Sequence, residues 1–161
     1  DGVKAVIVGG TKNPKIQQAK TKIFIQAIRN LSLEERIVAT LDKNSSYFVG
    51  TVNSVILNDN NYDYEYILGL INSKLLNTYF KKRFTTISLT ASFLGVLPIC
   101  TLSTSSQKQK AKEISKLVEQ LLSLNAEKLN TKLQTKLVIS QPVVELSLSL
   151  SKVKHFQQLQ R

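Results

Sequence analysis

The side chains able to make or break bonds are few in this chain. It holds one cysteine, Cys100, and one histidine, His155, 55 positions apart. A protein metal site draws on three or four such ligands, so one of each cannot assemble it. As nucleophile and base the two would meet only by an accident of folding. The ordinary expectation is a core thiol beside Pro98 and a surface histidine on a basic stretch. Gly9-Gly10-Thr11-Lys12 lacks the Gly-x-x-x-x-Gly-Lys-Ser/Thr spacing of a phosphate loop and reads as a turn. The carboxylate pairs Glu34-Glu35 and Asp63 with Glu65 sit where helix starts would use them for capping and for the helix dipole. No catalytic constellation emerges.

Binding chemistry is better represented. The chain of 161 residues carries 22 Lys+Arg against 11 Asp+Glu, a net charge of +11, which attracts polyanions and above all nucleic acid. The excess is largest in residues 101–161, with ten basic and four acidic side chains. No run of like charges forms a basic tail, so folding must assemble any cationic surface. Two places combine cations with short polar side chains. Lys12, Lys15, Lys20 and Lys22 lie in or beside a connector around Pro14, and Lys81-Lys82-Arg83 precedes Thr85, Thr86, Ser88, Thr90 and Ser92. Cations contribute affinity through counterion release, while small hydroxyls can touch base edges or phosphate oxygens. We expect phosphate contacts from Lys12, Lys15, Lys81, Lys82 and Arg83, and base-edge contacts from Ser45, Ser46, Thr86, Ser88, Thr90 and Ser92. Tyr47, Phe48, Tyr62, Tyr64 and Tyr66 read as packing rather than a stacking platform for single strands.

The elements that must position these groups come in two styles. Val3 to Val8, Lys22 to Ile28, Arg36 to Thr40 and Tyr47 to Leu57 have the alternation and β-branched content of strands, with Asp42 to Ser46 as a turn. From Tyr64 the period lengthens: Ile67, Leu68, Ile71, Leu75, Tyr79 and Phe80 mark one apolar face of a helix that Asp63 can cap. After Ser103 to Ser106, a capping stretch, a long helix is expected from about Gln107 to Val138, striped by Ile114, Leu117, Val118, Leu121, Leu122, Leu129 and Leu133. Such a helix is roughly 45–50 Å long, so part of it needs a helical partner. Pro142 should stop it. The predicted fold is α+β: a small mixed β-sheet with one packed helix, followed by a long helical arm. The predicted division is 1–102 for the binding domain, 103–140 for the spacer or docking helix, and 141–161 for a strand-like or loop passage at Leu146, Leu148 and Leu150 leading into a further helix. The lone cysteine, the lack of any apolar stretch of ~18 residues and the absence of a signal peptide point to a cytoplasmic protein with no membrane contact. A chain that opens on Asp1 and lacks methionine reads as a fragment of a longer polypeptide.

One series of motifs resembles a known family. Tyr66-Ile67-Leu68-Gly69-Leu70-Ile71-Asn72-Ser73-Lys74-Leu75 is followed by Leu97-Pro98-Ile99 and then by Gln109-Lys110-Ala111-Lys112-Glu113-Ile114. That order, with the upstream strands, resembles the TaqI-like C-terminal specificity domain of restriction-modification enzymes over about residues 20–138. Where family members often have a second proline, this chain has Cys100-Thr101, and the family's closing helix is missing. The resemblance implies a bacterial target-recognition domain that grips double-stranded DNA and has no catalytic centre or cofactor of its own. It also implies a parent that is an adenine-specific DNA methyltransferase, alone or fused to a nuclease, with S-adenosylmethionine in an upstream methyltransferase domain. Asn13-Pro14-Lys15-Ile16 is not the Asn-Pro-Pro-aromatic motif of that chemistry. The residues alone leave two rivals. One is a docking module whose leucine stripe pairs with another chain or a second copy; the other is an RNA-binding domain.

Overall fold

The computed structural model describes the backbone of residues 6–9 and 13–159 and the side chains of residues 13–132. Its elements are β1 (Val6–Gly9), α1 (Pro14–Gln17), β2 (Lys22–Gln26), β3 (Ala39–Asp42), β4 (Val52–Leu57), α2 (Tyr64–Asn72), α3 (Lys74–Arg83), α4 (Ala91–Leu94) and α5 (Ser105–Leu159). The four strands form one sheet in the order β1-β4-β2-β3. The chain is α+β, as its sequence predicts. The sheet is not mixed, however: every described pair is antiparallel. Parallel neighbours need a crossover connection, usually a helix, and no helix lies between β2, β3 and β4.

Alternation along β2 sorts its side chains between two apolar layers. Ile23, Ile25 and Ala27 are buried on one face, the side on which α2 and α3 contribute Ile67, Leu68, Ile71, Leu76 and Phe80 to the core. Phe24 faces the other way, where Ile16 of α1, Phe48 and Ile56 form a second cluster with Val52 and Ala19. Phe24 and Phe48 meet at 5.4 Å between ring centroids.

The expected single helix is two helices, broken at Ser73. The Ser73 backbone is extended (φ −65°, ψ 149°). Its hydroxyl donates to the Leu70 carbonyl at 2.6 Å and accepts from the Leu76 N–H at 3.2 Å. One side chain thus ends α2 and caps α3. The break aims two asparagines at the edge of the sheet. Asn72 accepts from the Ala39 N–H (2.8 Å) and donates to the Ala39 carbonyl (3.0 Å). Asn77, which is buried, accepts from the N–H groups of Arg36 (2.7 Å) and Ile37 (2.8 Å) and donates to the Ile37 carbonyl (3.2 Å). The amides occupy the places that the next strand's backbone would take.

Asp63 makes no side-chain cap to α2; its carboxylate accepts from the Ser115 hydroxyl at 3.2 Å instead. At Gly69 side chains of α5 lie close against the backbone of α2. A Cβ there would stand 3.0 Å from Val118 and 3.1 Å from Ile114, so those two side chains would have to shift by a few tenths of an ångström to admit it. Thr104 and Gln107 cap α5 reciprocally: the Thr104 hydroxyl accepts from the Gln107 N–H (3.2 Å), and the Gln107 side chain accepts from the Thr104 N–H (2.9 Å). Pro142 does not end this helix, and the alternation at Leu146, Leu148 and Leu150 makes no strand, since α5 is helical to Leu159. No glycine follows Gly95, so Pro142 is the single strong helix breaker along α5. The chain divides into two compact units, residues 1–119 and residues 120–161. In the second, Leu121, Leu124 and Leu129 of α5 are exposed. No helix among the described residues is long and apolar enough to cross a membrane.

Removing the Asn77 amide leaves two N–H groups and a carbonyl without partners in a buried place, where each unmade bond costs about 1–3 kcal/mol. Asn77→Ala is therefore expected to lower unfolding free energy by roughly 3 kcal/mol or more, against about 1 kcal/mol for the exposed Asn72→Ala. Urea denaturation of both variants checks the order. Equal losses would show that the buried clamp is not the stronger one.

Candidate nucleic-acid interface

Those of the expected site residues that are described fall toward the two ends of β2. At its start, Lys15 is exposed on α1, beyond an Asn13 cap whose side chain accepts from the Lys15 N–H at 3.1 Å. Lys12 lies outside the described residues. Lys20 is exposed, but Lys22 is fully buried and belongs to the architecture. Its ammonium donates to the carbonyls of Gln17 and Ala19, each at 2.9 Å, and stands 3.9 Å from the Asp42 carboxylate. This buried cation ties α1 to the turn after β3.

That turn carries Ser45 and Ser46. Ser45 is exposed, with a left-handed backbone (φ 56°) and its N–H donating to the Lys20 carbonyl at 3.2 Å. The Ser46 hydroxyl is committed inward, donating to Asp42 at 2.8 Å, while the N–H groups of Ser46 and Asn44 reach the same carboxylate at 2.9 and 3.2 Å. Burial pushes the Asp42 carboxyl up, but the Ser46 hydroxyl, the two N–H groups and the Lys22 charge together hold it below its ordinary value. Both serines are exposed, but the hydroxyl of Ser46 is engaged by Asp42.

The far end of β2 holds the other group, roughly 15 Å away along the five residues of the strand. Lys81, Lys82 and Arg83 are exposed on the last turn of α3, where the helix dipole favours cations. Arg83 lies over Phe84 at 5.7 Å, and Phe84 packs between Phe80 and Phe93 at 4.9 Å from each. Lys74, which sequence reasoning passed over, lines a 460 Å³ cavity with Thr78, Lys81 and Lys82, facing Glu34 and Glu35. Spacing could have found it, since Lys74, Thr78 and Lys81 share one helix face.

The chain after Arg83 runs beside the end of β2. Arg29 N–H donates to the Ile87 carbonyl (2.9 Å), Leu89 N–H to the Ala27 carbonyl (2.6 Å), and Ile28 pairs with Ser88. Two buried side chains hold this strip from beneath: Arg36 donates to the Thr86 carbonyl and Asn53 to the Leu89 carbonyl. Neither residue carries a sequence signal that separates it from an ordinary strand position. Leu89 is sealed in the core, whereas Ser88, Thr90 and Ser92 are exposed and Thr86 is half-buried. Three of their hydroxyls make short-range bonds within the strip. Thr86 donates to the Ser88 carbonyl at 3.2 Å and accepts its N–H at 3.1 Å, and the Thr90 and Ser92 hydroxyls meet at 2.7 Å.

Cys100 is exposed rather than a core thiol, because the extended run from Leu97 turns Leu97 and Ile99 inward and Pro98 and Cys100 outward. His155 lies outside the described side chains. Among the described residues no three His, Cys, Asp or Glu groups gather as a metal site.

Compared with models of protein families, residues 7–99 match the TaqI-like C-terminal specificity domain. The match begins upstream of the stretch whose motifs resemble the family and stops before α5. No curated protein shows a significant match to the chain.

A carboxyl held below its ordinary value of 3.8 stabilises the fold above that pH and loses its contribution as pH falls through the lower folded value. Asp42→Asn is expected to cost about 2 kcal/mol at pH 7 by unpairing Lys22. Thermal melts should show the gap to wild type closing below about pH 4, the ordinary carboxyl range. A gap unchanged down to pH 2 would show that the charge of Asp42 is not what matters.

Proposed function

The chain belongs to the TaqI-like C-terminal specificity domain family, and from that membership we propose that it is the sequence-specific duplex-DNA recognition module of a bacterial restriction-modification enzyme. The family points to a target-recognition role in such a system. Within that role, Lys81, Lys82 and Arg83 contact phosphates from the end of α3, with Lys15 and Lys12 contacting the backbone further along. Thr86, Ser88, Thr90 and Ser92, joined by Ser45, approach base edges. The module has no catalytic step of its own. Its parent is a cytoplasmic N6-adenine DNA methyltransferase that holds S-adenosylmethionine in its catalytic domain.

The observation that carries this reading is the strip after Arg83. A cationic helix end runs directly into exposed hydroxyls, and the strip's backbone is already satisfied by β2, Arg36 and Asn53. Groups held in place before binding lose little entropy when they meet DNA, which is what sequence discrimination requires. The spread between the two ends of β2, roughly 15 Å, corresponds to about four to five base pairs of duplex.

A second reading is favoured by Leu117, Leu121, Leu124 and Leu129, all exposed on α5. That stripe fits a partner helix, so in this reading the long helix is a docking arm and the module holds another chain without touching DNA itself.

Fluorescence anisotropy with labelled duplexes across a salt series tests the proposal. We expect affinity to fall about 10³-fold or more between 50 and 200 mM salt. Replacing Lys81, Lys82 and Arg83 together with alanine should shallow the log–log slope by about 0.9 for each phosphate no longer neutralised, near 2–3 in total. Association that ignores salt and follows substitution of the leucine stripe would leave the docking reading standing and remove the DNA one.

A further inference from the structure

We propose that Arg29, braced by Gln26, reads the major-groove edge of a guanine in the DNA target. The proposal rests on the duplex-DNA reading above and adds a specificity-determining pair to it. Arg29 follows β2 and lies against the exposed strip, its N–H bonded to the Ile87 carbonyl at 2.9 Å. Its guanidinium is held at two points. Nε donates to the Glu35 carbonyl at 2.9 Å, and Nη1 donates to the Gln26 Oε1 at 2.7 Å. Among the described residues the ion pairs are Lys22–Asp42 and Lys43–Glu65, so the Arg29 charge has no carboxylate partner.

These two bonds leave the outer edge of the guanidinium and the Gln26 amide N–H₂ to face a ligand, and both groups donate only. A glutamine reads adenine by using its oxygen and its nitrogen together. Here the oxygen is occupied by Arg29, which removes that option. Guanine presents two adjacent acceptors, O6 and N7, which a planar guanidinium meets with two parallel bonds.

The surroundings separate a base edge from a phosphate. Gln26 lines a groove of 570 Å³ whose walls include Phe24, Ile28, Val38 and Val52, with Ile28 and Val38 exposed at 55% and 40%. Apolar walls suit the methyl and ring edges of neighbouring bases, whereas phosphates want water or further cations beside them. A guanidinium fixed at two atoms is also aimed, as base reading demands; phosphate contact tolerates a mobile lysine.

The test is selection of bound duplexes from a randomised library by the full chain, wild type against Arg29→Ala and Arg29→Lys, with salt titration and thermal melting alongside. We expect wild type to require G·C at one position. Both variants should lose that requirement alone, by roughly 5- to 150-fold, with the salt slope and binding to random duplex nearly unchanged. Lysine keeps the charge but not the fork, so its failure to rescue separates geometry from charge. Two results would overturn the assignment: uniform weakening on every duplex with a slope shallower by about one, the signature of a phosphate contact, or an intact G·C requirement in both variants. Wild type that binds duplex without any preference removes the recognition reading and this one together, whereas intact wild-type preference with either overturning result removes this one alone.

Discussion

The sheet stops at β3 because two side-chain amides close its edge. A strand at the rim of a sheet carries outward N–H and C=O groups at every second residue, and left bare these invite another strand. Ile37 and Ala39 are two residues apart, as that period requires, and Asn77 and Asn72 meet them with one acceptor and one donor each. An asparagine amide has the shape and polarity of a peptide group, so the helices act as a discontinuous fifth strand. The geometry works only if the helix breaks between the two asparagines, which the double cap at Ser73 accomplishes. The Asn72-Ser73 pair of the family-like motif therefore serves architecture, and recognition must lie elsewhere.

The net charge of +11 is divided by the fold between two uses. Lys22 and Arg36 are among the most deeply buried side chains of the domain. Lys22 is compensated by Asp42 and two carbonyls, but Arg36 has a single carbonyl on Nη2 and an Nε without a partner. Burying an unpaired charge costs several kcal/mol, so Arg36 is a poor choice for stability alone. What it does locally is grip the strip that carries Thr86 and Ser88. Among the described residues the other cations are exposed, apart from the half-buried Arg29, and Lys81, Lys82 and Arg83 stand at the end of α3 from which the strip departs.

Much of the scaffold was legible in the sequence, because period and capping are local. The alternation of Ile23 and Ile25, the apolar face of Ile67, Leu68 and Ile71 and the capping stretch before α5 all appear where their patterns place them. The break at Ser73 was hidden, since Leu70, Ile71, Leu75 and Leu76 continue a helical pattern straight through it. Burial of Lys22 was equally hidden: nothing in its neighbourhood separates a lysine that meets Asp42 twenty residues later from one in solvent. For the candidate site, the cationic end of α3 and the hydroxyl strip could be read from composition. Arg29, Arg36 and Asn53 could not, because their roles depend on partners 3 to 50 residues away in sequence that only the fold brings into reach.

The strip's manner of attachment bears on how such a surface can change its target. Thr86, Ile87, Leu89 and Ala27 are tied through main-chain atoms, and the only side chain of the strip sunk in the core is Leu89. Backbone hydrogen bonds do not depend on residue type, so the exposed positions 88, 90 and 92 can be exchanged with little effect on folding, within the ±0.5 kcal/mol or so typical of surface substitutions. A recognition element held in this way separates the two demands on it. Buried donors and one leucine fix where the strip lies, and the outward side chains alone decide what it fits. The arrangement would fail if recognition residues also had to support the core, because each new target would then require repacking the domain.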